Sequence, residues 1–478
     1  MEKARIICEK KAARHCLAAF LQSTPEAGLV PVPAVGYNET VTNEKPTADR
    51  RVQMEKTPHY ASYVEILREE LIPAMGCTEP IAIALAAAKA RQALGMEPEK
   101  CRVEVSGNII KNVKAVTVPN TGGLKGIEAA AAAGVVAGRP DLELEVLSQV
   151  TPEEIAAIGA FLKDREIRVL PMQGDRVFYI NVTLLAEDHS ACCEIVDYHT
   201  NITRIQRDEE VLFQKAGGES ETPQQTDRTV LSIEEIIRFA DCLDPEDVRE
   251  VLERQIAYNT AISEEGLRGG WGAEIGRTLR AVYGDDVAIR AKAAAAAGSD
   301  ARMSGCELPV VIVSGSGNQG MTASLPVITY ARDRGASEEE LLRALAVADL
   351  VTIHQKTGIG RLSAFCGAVS AGCGAAAGIA YLLGGRYDVI AHTVANTLAI
   401  CAGMICDGAK PSCAAKIAAA VDAGILGYQM YMHGGHQFVG GEGIIQKGVE
   451  NTIGNVGRLA REGMRKTDQE ILNIMVGR

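Results

Sequence analysis

The run from Ser363 to Leu383 contains no charged side chain and is long enough to span a bilayer. Such a run must either enter lipid or be buried inside a large protein core. Val389 to Ile405 is nearly as clean, interrupted by His392 and Asn396. Both runs are rich in Gly, Ala, Ser and Cys rather than Leu and Phe. Arg386 and Asp388 lie between them, with no flanking basic cluster or aromatic belt. Buried helices of a large domain are therefore the better reading, and no membrane association is expected. Composition agrees: aromatics are 4% of the chain while glycines number 48, so the core must pack backbones closely.

Charge and cysteine usage narrow the function. A net charge of −12 argues against nucleic acid, which needs clustered Lys and Arg. The apolar stretch Cys16 to Leu21 is too short for a signal peptide and follows Arg14 and His15. A cytoplasmic location is expected, where disulfides are reduced. The 13 cysteines then divide into buried fillers and reactive or metal-binding thiols.

Residues 1–53 carry a Pro-punctuated polar stretch and no sustained period, and are expected to be a disordered or dispensable extension. From Tyr60 the pattern changes. Tyr63, Ile66, Leu67 and Leu71 have helical spacing, ended by Pro73 and Gly76. Thr78 can cap the helix that follows, which places Cys77 at its start. Strands are expected at Arg102–Ser106, Ala115–Val118, Leu142–Leu147, Ile167–Leu170, Val177–Leu185 and Cys193–Tyr198, the later ones antiparallel. Residues 54–214 thus read as an α+β or mixed α/β domain. Residues 215–229 read as a linker, and residues 230–478 as a mostly helical domain rich in Ala and Gly. A capping box at Ser232-Ile233-Glu234-Glu235 opens it.

The helical part groups Cys366, Cys373, Cys401, Cys406 and Cys413. Gly408 and Pro411 break the helix between Cys406 and Cys413, so both thiolates can turn toward one point. Iron–sulfur clusters want thiolates on loops with accessible N–H groups. Spacing alone favours buried structural cysteines on Ala-rich helices over a cluster, and the absence of a Cys-x-x-Cys pair argues against a zinc ribbon or ferredoxin-type pattern. Cys77 at a helix start is a candidate base or nucleophile, since the helix dipole lowers a thiol pKa; a packed small residue is the alternative. The loop Ser314-Gly315-Ser316-Gly317-Asn318-Gln319-Gly320 precedes a helical run and can cradle an anion, a carboxylate more naturally than a phosphate. His433 and His436 flank Gly-Gly and read as structural or substrate contacts, and His354 and His392 as hydrogen-bonded core residues.

In order and local sequence, Ala74-Met75-Gly76-Cys77-Thr78-Glu79-Pro80, the Ser314–Gly320 loop and the two cysteine segments resemble the L-cysteine desulfidase family. That family is a branch of the iron–sulfur serine dehydratase α-chain superfamily. The resemblance covers about Met54 to Arg478. It implies a [4Fe–4S] cluster on Cys366, Cys406 and Cys413 with one iron free of protein ligands, and a catalytic role for Cys77. Cys373 and Cys401 match no ligand position. The implied reaction is pyridoxal-phosphate-independent α,β-elimination from a small amino acid, with L-cysteine giving sulfide, ammonia and pyruvate. Ser314, Ser316 and Asn318 are the expected carboxylate contacts. The competing expectations are an L-serine dehydratase with the same site and a non-enzymatic iron–sulfur sensor. A homo-oligomer is expected.

Overall fold

Small side chains set the architecture, because they let helices approach until their backbones touch. The structure is a computed structural model. It describes residues 56–174, 176–215, 226–438, 440–441 and 443–477. The expectation for residues 1–53 and most of the expected linker lie outside the described residues. Met54–Arg478 forms one compact unit.

The first half is built on a six-stranded mixed sheet. Its strands are β2 (Lys100–Val105), β3 (Glu166–Pro171), β4 (Tyr179–Ala186), β5 (His189–Val196), β6 (Ile202–Arg207) and β7 (Glu210–Gln214). Their spatial order is β3-β2-β4-β5-β6-β7, with β2 parallel to β3 and every other pair antiparallel. Helix α1 (Tyr60–Glu70) opens the chain. Helix α2 (Thr78–Leu94) is Ala-rich and buried almost all round, and Gly95 ends it in the left-handed conformation. It lies on β4, β5 and β6 and is covered by α4 (Gly126–Ala137), the short α3 (Gly107–Val113) coming between them in sequence. Contact between α2 and α4 is close enough that a Cβ on Gly134 would overlap the Ala84 carbonyl.

Two expected strands differ. Leu142–Leu147 falls in a 3-10 turn over Pro140–Glu145, and Ala115–Val118 makes only an isolated bridge, Thr117 to Lys125. Pro140 stands at the start of that turn and favours it. Helix α5 (Pro152–Asp164) follows, with a full capping box at Thr151 and Glu154.

The second half is helical, as expected. Its helices are α6 (Ile233–Cys242), α7 (Arg249–Arg268), α8 (Ile275–Tyr283), α9 (Val287–Met303), α10 (Gly317–Arg334), α11 (Glu338–Ile359), α12 (Gly367–Leu382), α13 (Tyr387–Cys401), α14 (Cys413–Met432), α15 (Val449–Arg458) and α16 (Arg465–Val476). The uncharged run noted above becomes α12, which is packed by α10, α11, α13 and α14. A Cβ on Gly374 would overlap Thr352 Oγ1 and the Ala348 carbonyl of α11. Among the described residues, no helix is long and apolar enough to cross a membrane. One short ladder joins the halves: β1 (Pro73–Met75) pairs antiparallel with β8 (Pro309–Val311), Ala74 opposite Val310. It tethers the chain entering Cys77 to the chain entering Ser314.

Candidate active site

Four helices begin at one cavity. Cys77 is the N-cap of α2, Ser316 of α10 and Cys366 of α12, and Cys413 is the first residue of α14. The cavity has a volume of about 100 Å³, and its lining includes Cys77, Ser314, Ser316, Asn318, Cys366, Cys406 and Cys413. All seven residues singled out in the sequence therefore meet. Cys373 and Cys401 do not line it. Their thiols point at backbone carbonyls of α13, those of Val394 and Thr397.

A two-residue antiparallel bridge, Phe365 to Ile405, aligns two of the cysteines. Cys366 N–H donates to the Met404 carbonyl at 3.1 Å, and Cys406 N–H to the Ala364 carbonyl at 2.6 Å. Cys366 and Cys406 flank the bridged pair, so alternation puts their side chains on the same face. Gly408 then turns the chain back with φ +99, and Cys413 starts α14 within reach of the same space. Among the described residues, no three His, Cys, Asp or Glu side chains close on a point as a single ion would require. An iron–sulfur cluster takes its thiolates at separate corners rather than on one ion, and Cys406 and Cys413 lie near enough to Cys366 to act on it electrostatically.

The surrounding charge also suits thiolates. Lys356 and Lys416 line the cavity beside the cysteines, along with Arg302 and Arg361. Burial pulls Lys356 down to about 8, opposed by the nearby Cys406 and Cys366. Lys416 is held by the Asp407 carboxylate at 2.6 Å and the Ile405 carbonyl at 3.0 Å. Burial also raises the Cys366 thiol to about 12, with Cys406 adding to the rise, and it raises Cys413. A metal that takes the thiols as thiolates must overcome that cost, and the helix N-termini and lysines offset it. The donor set therefore fits a cluster on Cys366, Cys406 and Cys413.

Cys77 departs from expectation. Burial first, and the Glu79 carboxylate second, hold its thiol well above the ordinary range, although a helix begins there. Its S–H donates to Glu79 Oε2 at 3.1 Å. The Thr78 hydroxyl does not cap the helix; it reaches the same oxygen at 3.2 Å and the Gly315 carbonyl at 3.0 Å. A buried thiol beside a carboxylate keeps its proton, and the partial charge of one helix end is too small to reverse that.

Several lining residues carried no local signature in the sequence. Arg302 ends the Ala-rich helix α9, where its Nε donates to the Gly76 carbonyl at 2.9 Å and its Nη1 to Asn318 Oδ1 at 3.2 Å. It thereby ties the Cys77 turn to the Ser314 loop. Arg361, just past α11, donates to Glu70 at 3.2 Å and stacks 4.5 Å from the Tyr198 ring centroid. Ser299, Asp300 and Arg302 closing an Ala-rich helix form a polar cluster that could have marked Arg302. Ser314 takes φ +49, a conformation rare outside glycine, which bends the loop into the cavity. A wider outer cavity of about 480 Å³ shares Ser314, Lys356, Arg361, Leu362 and Ser363 with the inner one and forms its approach. His433 and His436 lie apart from both, with the His436 carbonyl held by Asn396; His354 pairs with Glu450 at 2.6 Å.

A sequence profile described as serine dehydratase alpha chain matches residues 141–473. A UPF0597 protein of Desulfitobacterium hafniense is 58% identical over 418 residues, covering 87% of this chain and 97% of that protein. A UPF0597 protein of Lachnoclostridium phytofermentans is 50% identical over 417 residues, covering 87% of this chain and 100% of its own. One of Treponema denticola is 44% identical over 431 residues, covering 89% and 100%. The matched segment includes the Ser314 loop, Cys366, Cys406 and Cys413, whereas Cys77 precedes it. This chain belongs to the serine dehydratase alpha-chain family.

Proposed function

We propose that the protein is a lyase that eliminates the β-substituent of L-cysteine, giving sulfide, ammonia and pyruvate without pyridoxal phosphate. The observation that supports it is the meeting of Cys77, the Ser314 loop and three cysteines on one cavity. Cys366, Cys406 and Cys413 would hold a [4Fe–4S] cluster. When bound, such a cluster supplies a Lewis-acidic iron with an open position.

The chain's own groups divide the remaining work. The α10 N-terminus with Ser314, Ser316 and Asn318 receives the substrate carboxylate. Asn318 Oδ1 is occupied by Arg302, which leaves its amide N–H groups to donate. Cys77 takes the Cα proton. Because its thiol is protonated at rest, it must first pass a proton to Glu79, whose Oε2 already accepts that hydrogen. Arg302 holds the Gly76 carbonyl and so fixes the turn from which Cys77 projects. Burial keeps water away from the carbanion-like transition state.

Family membership favours a second reading, L-serine as substrate with water leaving. The test is pyruvate and sulfide formation by anaerobically prepared protein given L-cysteine or L-serine. A higher kcat/KM for L-cysteine, with sulfide equal to pyruvate, supports the first reading. Preference for L-serine supports the second, and no pyruvate from either amino acid overturns both.

A further inference from the structure

The proposed chemistry leaves His199 unused. It sits between β5 and β6 with its ring edge-on to Phe178, centroids 4.8 Å apart. Its side chain is 5% exposed and lines the inner cavity with Cys77 and the cysteines. Its Nε2 is buried and has no hydrogen-bond partner among the described residues. Gln319, in the first turn of α10, repeats the pattern. It too is 5% exposed, lines the same cavity and packs beside Gly367, and its Oε1 has no partner among the described residues. Buried polar atoms are nearly always satisfied, and leaving one unpaired is costly. Two such atoms in one cavity point to a ligand group that both can accept from.

The rest of the lining identifies that group. Arg302, Arg361, Lys356 and Lys416 are donors only. Glu79 is the lining carboxylate, and its Oε2 is already taken by Cys77 and Thr78 and its Oε1 by Asn112 at 3.4 Å. An amino acid bound by its carboxylate still presents an ammonium group that needs acceptors. Burial lowers His199 to about 4, against the pull of Glu79, so the ring is neutral at pH 7. With the proton on Nδ1, its Nε2 accepts.

We propose that His199 Nε2 and Gln319 Oε1 receive the α-ammonium group of the substrate, so that the site requires a free primary amine next to the carboxylate. This rests on the amino-acid lyase reading and adds how the amine is recognised.

The experiment compares L-cysteine with 3-mercaptopropionate, the same molecule without its amino group. In anaerobically reconstituted full-length protein, the KM for L-cysteine and the calorimetric Kd for 3-mercaptopropionate are measured for wild type, H199L and H199Q. The expected result is a KM about tenfold or more higher in H199L, with the 3-mercaptopropionate Kd within about twofold, because one hydrogen bond to a charged group is lost. H199Q, which keeps an acceptor, should recover most of the difference. Should H199L lose its fold, seen as altered thermal melting, Gln319→Met is used in its place and is expected to raise the KM alone. Equal weakening of both ligands, or no change in either, overturns the proposal while leaving the lyase reading intact. A wild type that turns over neither L-cysteine nor L-serine overturns both.

Discussion

The Cys77 thiol is buried and donates to the Glu79 carboxylate at 3.1 Å, and both the burial and that neighbour keep its proton in place. Gly76-Cys77-Thr78-Glu79 announces a helix start, and a helix start implies a lowered thiol pKa. Burial, and second the Glu79 carboxylate whose side chain folds back onto the sulfur, reverse the sign. The motif was legible, but the folding-back was not, because it depends on Asn112 and Thr78 closing around the same carboxylate. Cys77→Ser should lower turnover at least about 100-fold, the usual range for a lost acid–base group, with iron content and visible absorbance unchanged. Loss of iron would instead make Cys77 a support of the metal site. A second buried acid tests the helical half. Burial raises Asp349 to about 7, only partly opposed by the hydrogen bond from Gln255. The folded chain then holds a proton that the unfolded chain releases, so stability falls as pH rises from 3.8 to about 7. Asp349→Asn should remove that slope. Denaturant melts should show the variant gaining about 1–4 kcal/mol on wild type between pH 4 and pH 8.

Elements, rather than single residues, make the cavity anionic-friendly. The N-termini of α2, α10, α12 and α14 meet there, and each contributes partial positive charge from unpaired N–H groups. Each start was marked locally by Gly or Cys next to an apolar run, and the convergence came from packing. What allows the convergence is glycine on α12. Gly374 faces the Ala348 carbonyl and Thr352 hydroxyl of α11, and a methyl group there must push the helices apart. Gly374→Ala should cost about 1–3 kcal/mol in denaturant unfolding, the range for overpacking. An unchanged midpoint would show that the two helices do not need that approach. β6 and β7 escaped the sequence reading because their alternation is weak: β6 is half-buried throughout and β7 exposed throughout.

At the scale of the molecule, the order of a mixed sheet followed by helices was legible from periodicity and alanine content. The meeting of its chemistry was not, since Cys77 and Cys413 lie far apart in sequence and come together only on folding, packed with Val116 and Met303. Everything described belongs to the unit beginning at Met54. A chain starting at Met54 should therefore retain kcat/KM for L-cysteine within about twofold, as expected when no site residue is removed. The proposed elimination depends on the proposed cluster on Cys366, Cys406 and Cys413, and iron and acid-labile sulfide counts on anaerobically purified protein test for that cluster itself. Wild type and Cys373→Ser should hold about four irons per chain, while Cys366→Ser, Cys406→Ser and Cys413→Ser should each lose them. Wild type without iron, or full iron in any of the three variants, would contradict a cluster held by Cys366, Cys406 and Cys413.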